Sequence, residues 1–213
     1  MSIQVALAGN PNCGKTTLFN RITGENGYVG NWPGVTVEKK QAKLLGDKDV
    51  VVTDLPGIYS LSPYSPEEVC SRDYLVNDRP DVVINLVDST NIERSLYLTT
   101  QILELGLPVV IALNMTDLLK KNGDVVDTAK LSDLFGCPVV ECSALRGAGV
   151  DEVIAAAKKA AAAKKAAAPT VKFSDKMEGA LSKIDEIAGA GAPAALKRWY
   201  AVKLFEGDEA AFK

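Results

Sequence analysis

Short apolar runs alternate with stretches of helical periodicity along this chain. Ile3–Ala8, Val50–Thr53, Val82–Val87, Val109–Leu113 and Pro138–Glu141 are brief, rich in β-branched residues and mostly free of polar interruption. Runs of that kind suit strands buried on both faces, as in a parallel sheet covered by helices. Between them the 3.6-residue period predicts helices over Lys15–Thr23, Pro66–Val76, Ile92–Leu105, Thr128–Phe135 and Val150–Ala168. Val35–Leu44 alternates less cleanly and reads as an edge strand that turns through Gly46-Asp47 onto Val50–Thr53. The expected architecture is α/β and doubly wound: a mostly parallel six-stranded sheet, one antiparallel edge strand, and helices on both faces.

The pattern changes after the last strand. Residues 155–169 form an alanine–lysine tract, a strong helix former that Pro169 is expected to end. Met177, Leu181, Ile184 and Ala188 then recur at helical spacing, Gly189–Pro193 breaks the run, Ala194–Phe205 resumes it, and Asp208 is placed to cap another helix. Two or three helices bury little by themselves. The expected organisation is one domain over 1–168 and a truncated α-helical appendix over 169–213.

Between the first strand and the first helix lies Gly9-Asn10-Pro11-Asn12-Cys13-Gly14-Lys15-Thr16, followed by Thr17, a match to G-x-x-x-x-G-K-[ST]. Glycines let backbone N–H groups curl around a phosphate chain, and the helix N-terminus adds its positive dipole end. Lys15 is then expected at the β- and γ-phosphates and the Thr16 hydroxyl on Mg²⁺. Four further segments follow in the order of a guanine-nucleotide switch. Gly34-Val35-Thr36 ends a loop long enough to move, and Thr36 offers a second hydroxyl to the metal. Asp54-Leu55-Pro56-Gly57 ends a strand, with Asp54 for Mg²⁺ through water and the Gly57 N–H for the γ-phosphate. Asn114-Met115-Thr116-Asp117 ends another, and a carboxylate there can accept both N1–H and N2–H₂ of guanine, a pair adenine lacks. Ser143-Ala144-Leu145 offers a backbone N–H to the guanine O6. DLPG or SAL alone is weak. All five segments in order, at strand ends, indicate GTP and GDP as ligands.

Composition narrows the class. Net charge is −3, without the basic field of a nucleic-acid binder. Four cysteines show no paired spacing, which favours a reducing compartment. No apolar run reaches the roughly 18 residues of a membrane span, so the expected location is cytosolic. Histidine is absent, which removes the commonest general base and metal ligand.

GNPNCGKTTLFN, VGNWPGVTVE, DLPGIYSLSPYSPEE, NMTD and KRWYAVKLFEGD closely resemble the N-terminal cytosolic part of FeoB-type bacterial ferrous-iron transporters, over essentially the whole chain. The resemblance implies a Ras-like P-loop GTPase domain and the start of a helical, GDI-like spacer. It also implies a membrane domain elsewhere that carries the iron, and a place on the cytoplasmic face of the bacterial inner membrane. The resemblance also bears on catalysis. Where Ras-like enzymes carry a water-orienting glutamine after DxxG, this chain has Ile58. Asn12 is similar to the asparagine that, in cation-activated members, coordinates K⁺ beside the phosphates, with the Gly30 and Trp32 carbonyls as further ligands. From the residues alone, Asn12 serves equally well as a loop cap. The resemblance favours K⁺ and implies catalytic roles for Thr36, Asn12, Gly57 and Lys15.

Several residues carry competing readings. Cys13 is a redox-sensitive thiol or a small filler. Arg72 and Arg94 are expected in solvated surface pairs rather than as arginine fingers. An iron site on Glu67, Glu68 and Asp73 has neither cysteine nor histidine to support it. Trp32, a large aromatic in a mobile loop, packs on that loop or meets another subunit of a homo-oligomer. Competing functions are an RNA- or ribosome-associated GTPase, opposed by the acidic balance, and a nucleotide sensor with negligible turnover.

Overall fold

The computed structural model describes residues 2–24, 27–167, 172–188 and 191–209. Seven strands make one sheet: β1 (Ile3–Gly9), β2 (Tyr28–Asn31), β3 (Glu38–Leu44), β4 (Asp47–Asp54), β5 (Val82–Asp88), β6 (Val109–Asn114) and β7 (Val139–Glu141), in the order β2-β3-β4-β1-β5-β6-β7. From β4 to β7 all pairings are parallel; β2–β3 and β3–β4 are antiparallel. The sequence accounts for six of these strands. Tyr28–Asn31 escapes it because Gly30 and Asn31 break any apolar pattern, and the strand is held by pairing with β3 rather than by burial.

Parity along the strands sorts the core into two layers. Ala6, Ala8, Val83, Val87, Val109, Ile111 and Leu113 face α2 (Pro66–Asp73) and α3 (Ile92–Glu104). Val5, Leu7, Ile84, Leu86, Val110 and Ala112 face α1 (Lys15–Thr23) and α6 (Val150–Ala163). Each fully buried leucine, such as Leu7 or Leu98, contributes about 1.5–3 kcal/mol. β5 and β6 are buried almost throughout, as continuous apolar runs in a parallel sheet require.

Several boundaries differ from expectation. α2 stops at Asp73 and continues as a π-helical turn over Tyr74–Asp78, a hydrogen-bond register that periodicity cannot show. A short helix α4 (Thr116–Asn122) starts inside the NMTD segment and runs five residues past it, and α5 (Thr128–Phe135) has its expected bounds. α6 ends five residues before the expected Ala168. Lys164 takes a left-handed conformation at φ 49° and its N–H caps the Ala160 and Ala161 carbonyls. Pro169, and with it the expected 168/169 boundary, lies outside the described residues.

The appendix comprises α7 (Asp175–Ala188), a 3₁₀ turn at Ala194–Leu196 and α8 (Lys197–Phe205). Its own core is small, centred on Leu181, Ala201 and Val202, while Leu196 and Trp199 join the main core. Asp208 pairs with Arg72, and the helix expected to follow it lies outside the described residues. Among the described residues no helix is long and apolar enough to cross a membrane.

Candidate functional site

Because β1, β4, β5 and β6 run parallel, the loops leaving their carboxyl ends gather on one edge of the sheet, where open α/β sheets bind ligands. The loop after β1 is set by two left-handed residues, Asn12 at φ 65° and Gly14 at φ 93°. Asparagine tolerates that region better than most side chains. At Gly14 a Cβ would stand 2.4 Å from Asn114 Nδ2, so only glycine fits. The loop opens on a cleft of about 520 Å³ lined by residues 10–12, 14–17 and Gly57. Gly57 lies against Pro11, with space for a Cβ only 3.2 Å from the Pro11 Cα, and the Ile58 N–H donates to the Gly9 carbonyl at 3.3 Å. The DLPG segment is therefore docked on the phosphate loop. Ile58 itself is buried in the core and offers nothing to the cleft.

Lys15 Nζ donates to Asp54 Oδ1 at 2.9 Å, and both side chains are buried. Burial raises the Asp54 pKa, and Lys15 only partly offsets it. Asn10 Nδ2 donates to the Arg94 carbonyl at 3.4 Å, while its buried Oδ1 has no partner among the described residues. Cys13 is buried and its thiol is pushed up to about 11, mainly by desolvation, so it is neutral at physiological pH and fits the filler reading.

Asn114 braces one flank of the phosphate loop. Its Nδ2 donates to the Cys13 carbonyl at 2.8 Å, and its Oδ1 accepts the Ala144 N–H at 2.9 Å. Asn114 thus ties the phosphate loop to the Ser143–Leu145 loop, and the Ala144 N–H is already committed. Met115 adopts φ 64° and starts α4, which carries Asp117. Desolvation works against the Asp117 carboxylate, but the Ser143 hydroxyl, its own backbone N–H and Arg146 hold its pKa below the usual value. Arg146 Nε donates to Asp117 Oδ2 at 3.0 Å. Arg146 and Arg21, which grips the same loop, escape a sequence reading. Arg21 belongs to α1, and no local signal connects it to residues more than a hundred positions away.

The loop carrying Thr36 stands apart from this cleft. Thr36 is exposed, and neither it, Gly30 nor Trp32 lines the cavity. Gly30 pairs with Lys39 in the β2–β3 ladder, and the Trp32 carbonyl accepts the Val35 N–H at 3.3 Å. Trp32 is buried at 6% exposure, edge-on to Tyr74 at 5.4 Å, with Lys39 Nζ 4.6 Å above its ring. The loop is pinned by its tryptophan, which packs on the core as well as on the loop. In a Trp199→Phe background we expect blue-shifted Trp32 emission without nucleotide, shifting when a non-hydrolysable GTP analogue with Mg²⁺ draws Thr36 inward. An unchanged spectrum would mean that Trp32 stays in place.

Arg72 departs from its expected solvated place. It is buried, paired with Asp208 at 2.9 Å and stacked 4.8 Å from the Trp199 ring. Arg94 does lie on the surface, over Tyr59 at 4.1 Å. No cluster of three metal-binding side chains occurs among the described residues, so Glu67, Glu68 and Asp73 form none.

Two family models match, ferrous iron transport protein B over residues 3–157 and the FeoB cytosolic helical domain over 173–213. The Fe(2+) transporter FeoB of Salmonella typhimurium is 41% identical over 214 residues, 97% of this chain and 27% of the relative. The Fe(2+) transport protein A/Fe(2+) transporter FeoB fusion protein of Porphyromonas gingivalis is 54% identical over 153 residues, 71% of this chain and 18% of its own. The chain thus spans about a quarter or less of these curated relatives. A crystal structure of NFeoB from S. thermophilus bound to GDP·AlF4⁻ and K⁺ is 50% identical with a TM-score of 0.89, over 99% of this chain and 82% of that one. An NFeoB mutant from the same source bound to mGDP gives 0.92 at 49% identity, over 100% and 82%. The fold is that of a Ras-like P-loop GTPase, and the chain belongs to the ferrous iron transport protein B family.

Proposed function

We propose that residues 1–168 bind GTP and hydrolyse it to GDP and phosphate, and that 169–213 begin a helical spacer. The observation that carries this is the phosphate loop with Lys15 held 2.9 Å from Asp54 beneath a cleft open at the helix N-terminus. Triphosphate entering the cleft meets the backbone N–H groups of 13–17 and draws the Lys15 ammonium from Asp54 to its β- and γ-oxygens. The freed Asp54 carboxylate and the Thr16 hydroxyl form a hard oxygen set suited to Mg²⁺, which binds through one or two protein oxygens plus phosphates. Bound there, the metal would neutralise charge on the transferred phosphoryl group. Thr36 would complete the set once its loop leaves the Trp32 anchor, and the Gly57 N–H would meet the γ-phosphate, a reading supported by Gly57 lying against Pro11 of the phosphate loop. Water then adds to the γ-phosphorus as the bond to the β-phosphate oxygen breaks. On the base side Asp117 accepts from the guanine N1–H and N2–H₂.

Neither Ile58 nor any histidine can orient that water, so the developing charge lacks one stabiliser. We assign that gap to K⁺ held by Asn12, with the Gly30 and Trp32 carbonyls joining after the same loop movement. The relative's K⁺-containing structure supports this reading. GTP hydrolysis is expected to run severalfold or more faster in K⁺ than in Na⁺, and Asn12→Ala should abolish the difference while sparing GDP binding. Equal rates in both salts for the unmodified protein would remove the cation from the mechanism.

Within the longer protein, this activity regulates or drives ferrous-iron uptake by a membrane domain, from the cytoplasmic face of the bacterial inner membrane. The transporter names of the relatives support that assignment. Net charge of −3 disfavours a ribosomal or RNA-bound role.

A further inference from the structure

Arg21 lies in the last turn of α1, yet its guanidinium is fixed to the base-side loop. Nε donates to the Ala144 carbonyl and Nη2 to the Leu145 carbonyl, each at 2.7 Å. The loop backbone also lies close over the guanidinium: at Gly147, φ +84°, a Cβ would stand 2.6 Å from Arg21 Nη1. From the other side Asn114 Oδ1 takes the Ala144 N–H at 2.9 Å. The loop is therefore held between β6 and α1.

Peptide planarity turns this grip into a direction. In a trans peptide the C=O of one residue and the N–H of the next point opposite ways. With the Ala144 carbonyl drawn to Arg21, the Leu145 N–H must point away from it. With the Leu145 carbonyl drawn there too, the Arg146 N–H turns the other way and is given to Ser143 Oγ at 3.3 Å. The Ala144 N–H is spent on Asn114, and the Leu145 N–H has no partner among the described residues. We infer that Arg21 is a positioning residue for base recognition, aiming the Leu145 N–H at the exocyclic oxygen on C6 of guanine. This inference rests on the guanine-site reading above. Two forked, charge-assisted hydrogen bonds suit the role, because a planar guanidinium fixes two carbonyls at once and an ammonium does not.

The bland alternative is that Arg21 merely places a positive charge at the C-terminal end of α1. Two base analogues separate the readings. The diphosphate of 2-aminopurine riboside lacks the C6 oxygen and, with it, the N1–H, whereas inosine diphosphate keeps both and lacks only the 2-amino group that Asp117 would read. Each is competed against a fluorescent GDP on the unmodified protein, Arg21→Ala and Arg21→Lys, with thermal midpoints recorded for all three. We expect the unmodified protein to favour GDP over both analogues. Both variants should lose roughly tenfold of the preference over the 2-aminopurine analogue, with GDP release faster by a similar factor, and keep the preference over inosine diphosphate. If the unmodified protein shows no preference over the 2-aminopurine analogue, the guanine-site reading itself fails. If that preference is present and survives in both variants, the Arg21 inference fails. It fails equally if Arg21→Lys behaves as unmodified, which would leave only helix-end charge, or if both preferences fall together with the thermal midpoint.

Discussion

Asp117→Asn is expected to turn a guanine-binding protein into one that prefers xanthine nucleotides, by a combined change of about a thousandfold. A carboxylate accepts from both N1–H and N2–H₂ of guanine. An amide presents one donor and one acceptor, which matches the C2 oxygen and N1–H of xanthine. Polar groups left facing the wrong partner in a closed site cost far more than a lost apolar contact, which is why such switches are large. Two features of the structure sharpen the expectation. Ser143 and Arg146 hold the Asp117 carboxylate below its usual pKa, so it is ionised throughout the neutral range. The same Arg146 contact, 3.0 Å in length, weakens in the variant but can persist to an amide oxygen, so the local fold is retained. Competition between GDP and XDP for a fluorescent nucleotide reads the result. Strong GDP preference in the variant would mean that the base lies elsewhere.

Lys15→Ala is expected to lower GTP hydrolysis at least about a hundredfold and to weaken nucleotide binding, through loss of the cation that faces the transferred group. It has a second consequence in the nucleotide-free protein. Asp54 is buried with Lys15 as its neutralising partner, and removing one member of a buried pair costs about 3 kcal/mol when the other stays charged. The pH dependence has a definite sign. Burial already raises the Asp54 pKa above its ordinary 3.8. A carboxyl of raised folded-state pKa favours the fold while protonated, so its contribution is full below 3.8 and is lost as pH rises through the folded value. Deleting Lys15 moves that loss to higher pH. The variant should therefore be more stable at pH 5 than at pH 7, by thermal unfolding without nucleotide. Loss of stability that is flat across this range would mean that Asp54 does not govern it.

The strands of the parallel core were legible because burial on both faces writes itself as uninterrupted apolar sequence; β5 and β6 agree with expectation to one residue. The phosphate loop was legible for a different reason, since left-handed geometry and close backbone approach leave few residue types at positions 12 and 14. What escaped depends on partners distant in the chain. Nothing around Trp32 announces that Tyr74 and Lys39 will cage it. Arg72 looks like an ordinary helix-surface arginine until Trp199 and Asp208 arrive from the other end of the chain. Thr36 was expected in a switch loop at the metal; its place outside the cleft follows from that cage.

The Arg72–Asp208 pair carries a consequence for how the chain comes apart. Its two side chains are only 7% and 6% exposed, and the arginine sits on α2, directly after the loop that follows Asp54. Peeling the terminal helices away would break the buried charge-assisted bond, separate the Arg72 guanidinium from the Trp199 ring and uncover Trp199 itself. Partial opening at this seam is thus penalised more steeply than the small core of α7 and α8 suggests. The α8 end of the appendix should melt with the sheet in a single cooperative step, and its amides should exchange by global rather than local opening.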